Sequence, residues 1–208
     1  MKSFRMLEKL IIAAIYQSQI TKEPVVDLIR NKSRLTESTI NAKIDEMVAI
    51  QLINKDRSAL TELGRSTIKV VLAGGVFDII HPGHIYTLNA ARMLGDVLVV
   101  VVATDNTAIK MKKRKPLHSQ EQRKELVNSL KMVDFCLVGQ EDDIFKTVNH
   151  VRPQVIALGY DQVHQEKFIK EGCRRIQLDA EIARLQSPIP DSSSSKIQRE
   201  YGDSIHGI

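Results

Sequence analysis

Residues 74–84 read Gly-Gly-Val-Phe-Asp-Ile-Ile-His-Pro-Gly-His, and they follow a short apolar run that spans Ile68 to Ala73. The run has the composition of a buried strand, and the two glycines allow the backbone to turn tightly and approach a ligand. Pro82 suits the first turn of a helix, so His81 and His84 are expected at a helix start. Imidazoles beside the free N–H groups of a helix N-terminus predict a phosphoryl site.

Further apolar runs follow this stretch, separated by segments of helical periodicity. The runs are Val97 to Ala103, Met132 to Val138, Val155 to Leu158 and, more weakly, Arg175 to Leu178, and a helix is predicted over Ile85 to Leu94. Apolar runs that alternate with helices favour a parallel sheet covered on both faces. We therefore expect an α/β fold with a doubly wound parallel sheet, whose ligands bind at the carboxyl ends of the strands.

The first third of the chain has a different pattern, helical and without a strand signal before its end. Apolar residues recur every three or four positions between Phe4 and Ile15, and two further helices are predicted after Pro24 and Thr36. Leu52 to Leu60 then predicts a small hairpin with a charged turn. Three helices followed by a hairpin resemble a winged helix-turn-helix domain. The expected domains are 1–66 for this block and 67–208 for the α/β block.

Composition and charge define a broad class without assigning a function. Of the 208 residues, 43% are hydrophobic and 26% charged, which excludes disordered, collagen-like and coiled-coil chains. No apolar run approaches the roughly 18 residues of a membrane span, so we expect a cytoplasmic protein with no membrane partner. Cys136 and Cys173 form neither a disulfide framework nor a metal-binding spacing. The net charge of +5 favours a polyanionic partner, which is either nucleic acid or a nucleotide.

From Val70 to about Ile197 the chain resembles the nucleotidyltransferases with a His-x-Gly-His signature, in the branch of small cytidylyltransferase-like enzymes. Four landmarks carry the resemblance, in the order in which that family has them. They are the signature turn with Gly75, Val76, Phe77, Asp78, His81, Gly83 and His84, the basic loop with Lys112, Arg114 and Lys115 followed by Arg123, the motif from Leu158 to Asp161, and the segment from Ser192 to Ile197.

The resemblance implies that a phosphate monoester attacks the α-phosphate of a nucleoside triphosphate and that pyrophosphate leaves. The monoester is already nucleophilic at neutral pH because its second pKa is about 6, so the enzyme needs mainly to position groups and neutralise charge. The catalytic residues implied are His81, His84, Lys112, Arg123 and Lys196. The nucleotide-binding residues implied are Gly75, Val76, Phe77, Asp78, Gly83, Arg114, Lys115, Asp161, Ser193, Ser194 and Ser195.

Two supporting expectations accompany these roles. Ser119 to Gln122 resembles a capping box, which would start a helix and hold Arg123 in its first turns. Mg²⁺ is expected to arrive with the triphosphate, since the sequence shows no carboxylate cluster that would hold a metal without the nucleotide. The expected cofactor is therefore Mg²⁺, with no dedicated metal ligands.

The nucleotide and the acceptor are open between two branches of the family. Gly159 to Gln162 and the stretch from Gly95 to Asp105 are most similar to the archaeal-type FAD synthases, which adenylylate FMN. Ser192 to Ile197 and Leu117 to Ser119 are more similar to the glycerol-3-phosphate cytidylyltransferases, which use CTP. We favour FMN adenylylation, with a CTP-dependent enzyme acting on glycerol phosphate or a related alcohol phosphate as the alternative.

A ligand-sensing transcriptional regulator is a hypothesis from another class. In it the first domain binds DNA through a recognition helix that starts at Glu37 to Lys43, and the cations available for phosphates are Arg30, Lys32, Arg34 and Arg57. Residues 1–66 hold 11 Lys and Arg against 8 Asp and Glu, which is a thin excess for DNA binding. Packing or dimerisation is the competing role, and a homodimer is expected.

Overall fold

The computed structural model describes residues 6–159, 162, 165–186, 194, 196, 197, 199 and 200. The chain divides into two compact units, Met1–Lys69 and Val70–Ile208. The boundary expected from the sequence, between residues 66 and 67, lies three residues before this division. None of the described helices is long and apolar enough to cross a bilayer.

The first unit is helical. Its helices are α1 (Met6–Thr21), α2 (Val25–Lys32), α3 (Glu37–Ala49) and the short α4 (Glu62–Ser66). Thr36 caps α3, because its side chain accepts a hydrogen bond from the Thr39 N–H at 3.3 Å. The predicted hairpin is reduced to one antiparallel bridge between Ile53 and Leu60. The sequence did not indicate α4, since five residues that include Gly64 are too short and too weakly helical to show a periodicity.

The second unit alternates strands and helices. Its elements are β1 (Val70–Gly75), α5 (Pro82–Arg92), β2 (Val97–Val102), α6 (Asp105–Lys112), α7 (Gln120–Asn128), β3 (Phe135–Val138), α8 (Ile144–Val151), β4 (Val155–Leu158), α9 (Glu166–Arg175) and β5 (Glu181–Arg184). The five strands pair in parallel in the order β3-β2-β1-β4-β5. This confirms the predicted α/β fold with a parallel sheet.

Alternate strand residues cover the two faces of the sheet. On one face Val71, Val100 and Val155 are buried in a core with Leu88 from α5 and Val127 from α7. On the other face, side chains of β1 and β4 turn toward α8 and α9. The valine-rich β2 is buried almost throughout because it lies inside the sheet with helices on both sides.

The predicted strand at Arg175 to Leu178 is wrong. Arg175 ends α9, and the chain turns at Gln177 with a φ of 51°. The fifth strand is Glu181–Arg184, which lies at the edge of the sheet and has exposed residues at both ends. Because this strand is short and has charged residues at both ends, it lacks the apolar run by which strands buried on both faces are recognised in a sequence.

Candidate active site

The signature turn joins β1 to α5 at the carboxyl edge of the sheet. β1 lies between β2 and β4, at the point where the strand order reverses, and His81 is the N-cap residue of α5. Pro82 occupies the first turn as expected, and Gly83 is buried behind it. The N-terminus of the helix, with the positive end of its dipole, therefore faces the edge at which doubly wound proteins bind ligands.

The tight turn falls on Phe77 and not on the glycines. Phe77 has a φ of 51°, whereas neither Gly74 nor Gly75 has a positive φ. Gly75 is required for space, since a Cβ there would lie 2.9 Å from the Phe77 ring. The ring centroid of Phe77 is 5.1 Å from that of His84. The left-handed backbone of a bulky residue costs about 1–3 kcal/mol and is typical of functional sites, and here it places an aromatic ring behind an imidazole.

The two histidines form a stacked pair at the start of α5. Their ring centroids are 3.9 Å apart with an interplanar angle of 35°. The His81 backbone N–H donates to Nδ1 of His84 at 3.4 Å, and the His84 N–H donates to the His81 carbonyl at 2.9 Å. Because Nδ1 of His84 accepts, the neutral ring carries its proton on Nε2.

Burial keeps both imidazoles uncharged at neutral pH. It lowers the pKa of His84 to about 4, and the charges of His81 and Lys112 act in the same direction. Burial also lowers the pKa of His81, again with a contribution from Lys112. His84 is therefore a neutral hydrogen-bond donor at pH 7, held in one orientation by its own helix turn.

A buried ion pair ties the basic loop to the signature turn. Asp78 is 1% exposed, and its Oδ1 accepts from the Leu117 N–H at 2.7 Å. Its Oδ2 lies 2.7 Å from Nη1 of Arg114. Within the described residues, Nη2 of Arg114 and Nδ1 of His81 are buried and make no hydrogen bond. The carboxylate thus fixes the basic loop to the signature turn.

Arg123 lies inside the protein with an exposed fraction of 0%. Its Nε donates to the His118 carbonyl at 3.0 Å, its Nη1 to the Val76 carbonyl at 2.6 Å, and its Nη2 to Oδ1 of Asp105 at 2.7 Å. The capping box of Ser119 is confirmed and starts α7 before this arginine. The guanidinium joins the signature turn, the basic loop and α6, a geometry that favours a positioning role over direct phosphate contact.

Asp105 is the residue at this site that the sequence interpretation missed. It follows β2 in the first turn of α6, and its backbone N–H donates to the Gln120 side chain at 3.0 Å. An acidic residue one position after a Thr N-cap is an ordinary helix start. Only the three-dimensional approach of Arg123 distinguishes Asp105 from other acidic first-turn residues.

Some of the remaining predicted site residues are described by the structure, and others are not. Lys112 and Lys115 are exposed, and the charge of Lys112 is felt by both histidines. Ser194 is buried, and its hydroxyl donates to the Ile79 carbonyl at 2.9 Å. This bond brings Ser194 against the signature turn, and Lys196, two residues later in the chain, is exposed. Asp161, Ser193 and Ser195 lie outside the described residues.

An apolar cavity of about 480 Å³ opens on the sheet face that α8 and α9 cover. Gly74 and Gly75 form part of its wall, together with Ile156 from β4 and the helical residues Met111, Ile144, Thr147 and Phe168. No sequence pattern indicated this cavity, since its lining comes from six helices and strands, and from loops, that lie far apart along the chain.

Metal ligands of the protein itself are not evident at this site. In the described part of the chain, no three His, Cys, Asp or Glu side chains converge as a metal site requires. The carboxylates nearest the histidines are engaged by arginines, since Asp78 pairs with Arg114 and Asp105 with Arg123.

Comparison with known proteins gives one consistent family. A family profile described as Cytidylyltransferase-like matches residues 72–200. The FAD synthase of Picrophilus torridus is 46% identical over 130 residues, which cover 62% of this chain and 93% of that protein. The FAD synthase of Methanosarcina barkeri is 45% identical over 132 residues, covering 62% and 94% of the two chains.

A solved structure is also similar to this chain in sequence and in fold. The lipopolysaccharide core biosynthesis protein from Thermoplasma volcanium GSS1 is 40% identical in sequence, with a TM-score of 0.55. The match covers 58% of this chain and 98% of that one. The family profile lies within the second unit, since it matches residues 72–200.

Proposed function

Because this chain belongs to the cytidylyltransferase-like family, we propose that it is an FMN adenylyltransferase, which transfers AMP from ATP to FMN and releases pyrophosphate. The observation that carries the proposal is the neutral, oriented pair of His81 and His84 at the N-terminus of α5. The names of the relatives, FAD synthases at 42–46% identity, give the substrates.

The chemistry requires no nucleophile from the protein. An oxygen of the FMN phosphate, a dianion above a pKa of about 6, attacks the α-phosphorus of ATP. The new bond joins that oxygen to the α-phosphorus, the bond to the oxygen that bridges to the β-phosphorus breaks, and pyrophosphate leaves with the electron pair. Nε2–H of His84 donates to the phosphate oxygens on which charge develops, and the positive end of the α5 dipole stabilises the same charge.

Cations neutralise the triphosphate from the loop that Asp78 anchors. Lys112 and Lys115 contact phosphates directly. Arg114 pairs with Asp78 through Nη1, and its Nη2 donates to the ligand. Arg123 acts as a positioning residue through the Val76 carbonyl and Asp105. Lys196, with Ser193, Ser195 and Asp161, remains a predicted nucleotide contact.

Magnesium enters this proposal as part of the MgATP substrate. The family relationship supports a divalent metal, and we propose Mg²⁺ because it is the usual partner of a nucleoside triphosphate. Phosphate oxygens hold the ion, in keeping with the engagement of Asp78 and Asp105 by arginines.

The alternatives stated from the sequence gain no comparable support. The FAD synthases favour ATP and FMN over CTP and glycerol phosphate. Nothing in the family match supports DNA binding or a homodimer, and the winged helix-turn-helix assignment of residues 1–66 stays a prediction.

Pyrophosphate release tests the proposal directly. The full-length protein is assayed with ATP or CTP in combination with FMN or glycerol 3-phosphate, with MgCl₂ present. We expect turnover with ATP and FMN and identification of FAD as the product. Turnover with CTP and glycerol 3-phosphate alone would replace the proposed function with the cytidylyltransferase alternative.

A further inference from the structure

We infer that the apolar cavity beside the signature turn is the binding site for the isoalloxazine ring of FMN, an inference that rests on the proposed function. The cavity shares a wall with the phosphate site, since Gly74 and Gly75 line it and lead directly into the turn that carries His81 and His84. A ring in the cavity therefore points its ribityl phosphate toward the N-terminus of α5.

The size and lining of the cavity fit a planar tricyclic ring. Its volume of about 480 Å³ is in the range of pockets that enclose small organic ligands, roughly 300–1,000 Å³. One flat wall is the sheet, with Leu72 and Ile156, and the facing wall comes from α8 and α9. Thr104 and Thr147 are polar groups on the lining, and both are largely buried.

The rim of the cavity carries large apolar side chains that are exposed. Met111 is 53% exposed, Ile144 42% and Phe168 52%, and they come from three different helices. Single exposed apolar residues are ordinary on protein surfaces, but convergence of three on one cavity marks a ligand site. Phe168 is held by an edge contact with Phe145, with ring centroids 5.3 Å apart.

The same chemistry argues for the flavin over the smaller candidates. A glycerol phosphate has almost no apolar surface and would leave these walls in contact with water. Adenine is a smaller ring, which would leave part of this volume and of its aliphatic walls uncovered even with the lining amides of Gln140, Gln162 and Gln165 at its edges. The benzenoid end of isoalloxazine is the apolar, planar group among the proposed substrates that matches the walls.

A filling substitution at the rim tests the site, with riboflavin as the probe because it has the ring and no phosphate. Ile144→Trp narrows the cavity, and Leu126→Trp is the matched control, since Leu126 is 43% exposed on α7 and is not part of the lining. We expect Ile144→Trp to weaken riboflavin and FMN binding about tenfold or more, while Leu126→Trp changes either by less than about twofold.

Binding of a non-hydrolysable ATP analogue decides between the two rings. We expect the analogue to bind Ile144→Trp as it binds the unmodified protein. If Ile144→Trp loses affinity for the analogue and keeps its affinity for riboflavin, the cavity is assigned to adenine and the inference is overturned. Unchanged affinity for both ligands would also overturn the inference. Failure of the unmodified protein to make FAD, with riboflavin binding still lost in Ile144→Trp, would reject the proposed function and leave the ring site standing.

Discussion

The two units of the chain carry small excesses of positive charge and use them differently. Residues 1–69 have 12 Lys and Arg against 8 Asp and Glu, and residues 70–208 have 18 against 17. In the first unit Lys43, which is partly buried, contacts both Glu8 and Glu46, and the half-exposed Arg57 pairs with Asp45. These pairs neutralise the polar face of α3, the helix expected to contact DNA.

The second unit places one fully buried and one partly buried arginine at its site and has lysines at the edge. Arg123 is inside the protein, Arg114 pairs with the buried Asp78, and Lys112 stands near two uncharged histidines. Net charge therefore identifies neither unit as an anion site. The two units differ instead in how deeply each cation is buried and in which group it pairs with.

Arg123→Ala should produce the greatest loss of stability. It removes three hydrogen bonds, leaves the buried Val76 carbonyl without its donor and opens a cavity, so the free energy of unfolding should fall by about 3–5 kcal/mol. Urea denaturation measures the change. Lys124→Ala, at the next position of α7, is the control and should be nearly neutral. Equal effects of the two substitutions would show that Arg123 is not the link between the segments.

His84→Ala should produce the greatest loss of activity. Removing a preorganised donor to the transition state lowers kcat by about 10²–10³-fold, whereas substrate binding changes less. His150→Ala serves as the control because His150 is exposed on α8. Steady-state pyrophosphate release over a range of substrate concentrations gives kcat and KM. A kcat near that of the unmodified protein would remove His84 from the catalytic role proposed for it.

The pH dependence of the rate distinguishes protonation of His84 from protonation of the FMN phosphate. Since the pKa of His84 is lowered to about 4, from an ordinary value of about 6.5, His84 stays neutral at pH 5.5. The rate at low FMN concentration should still fall below pH 6, about tenfold per pH unit, because the FMN phosphate gains a proton. NMR titration of the imidazole checks the assignment, and a midpoint near the ordinary histidine value would contradict it.

The same pKa has a consequence for stability. The unfolded chain binds a proton at His84 near pH 6.5, whereas the folded protein binds it near pH 4. Stability from the neutral, buried ring is therefore complete above this window and declines as the pH falls through it.

Arg57→Ala should have the smallest effect of the series. Arg57 and Asp45 form an ion pair on the surface with about half of each side chain exposed, and such pairs contribute less than about 1 kcal/mol. We expect unchanged kcat and a small change in the urea midpoint. A large loss of activity would show that the charge pairs of the first unit support the chemistry of the second.

The sequence sufficed for the features that depend on local chemistry. Apolar runs located β1 to β4, and the cap residues Thr36 and Ser119 located two helix starts. The histidine pair was also expected at a helix start because Pro82 suits the first turn. In each case the residues that determine the structure are neighbours along the chain.

Features that depend on distant contacts were not accessible in this way. The edge strand β5 has little apolar signal, and the turn falls on Phe77 because its ring packs on Gly75 and His84. The burial of Arg123 depends on Asp105, which is 18 residues away. The cavity has no sequence signal, since it is the space left between elements whose inward faces are ordinary apolar residues.

The bond between the Ser194 hydroxyl and the Ile79 carbonyl joins positions 115 residues apart. A growing chain on the ribosome completes the histidine turn and all five strands of the described sheet before Ser194 has been synthesised. The signature turn therefore spends part of biosynthesis without this contact. The strands of the sheet are made before Ser194 is available to bond to the signature turn.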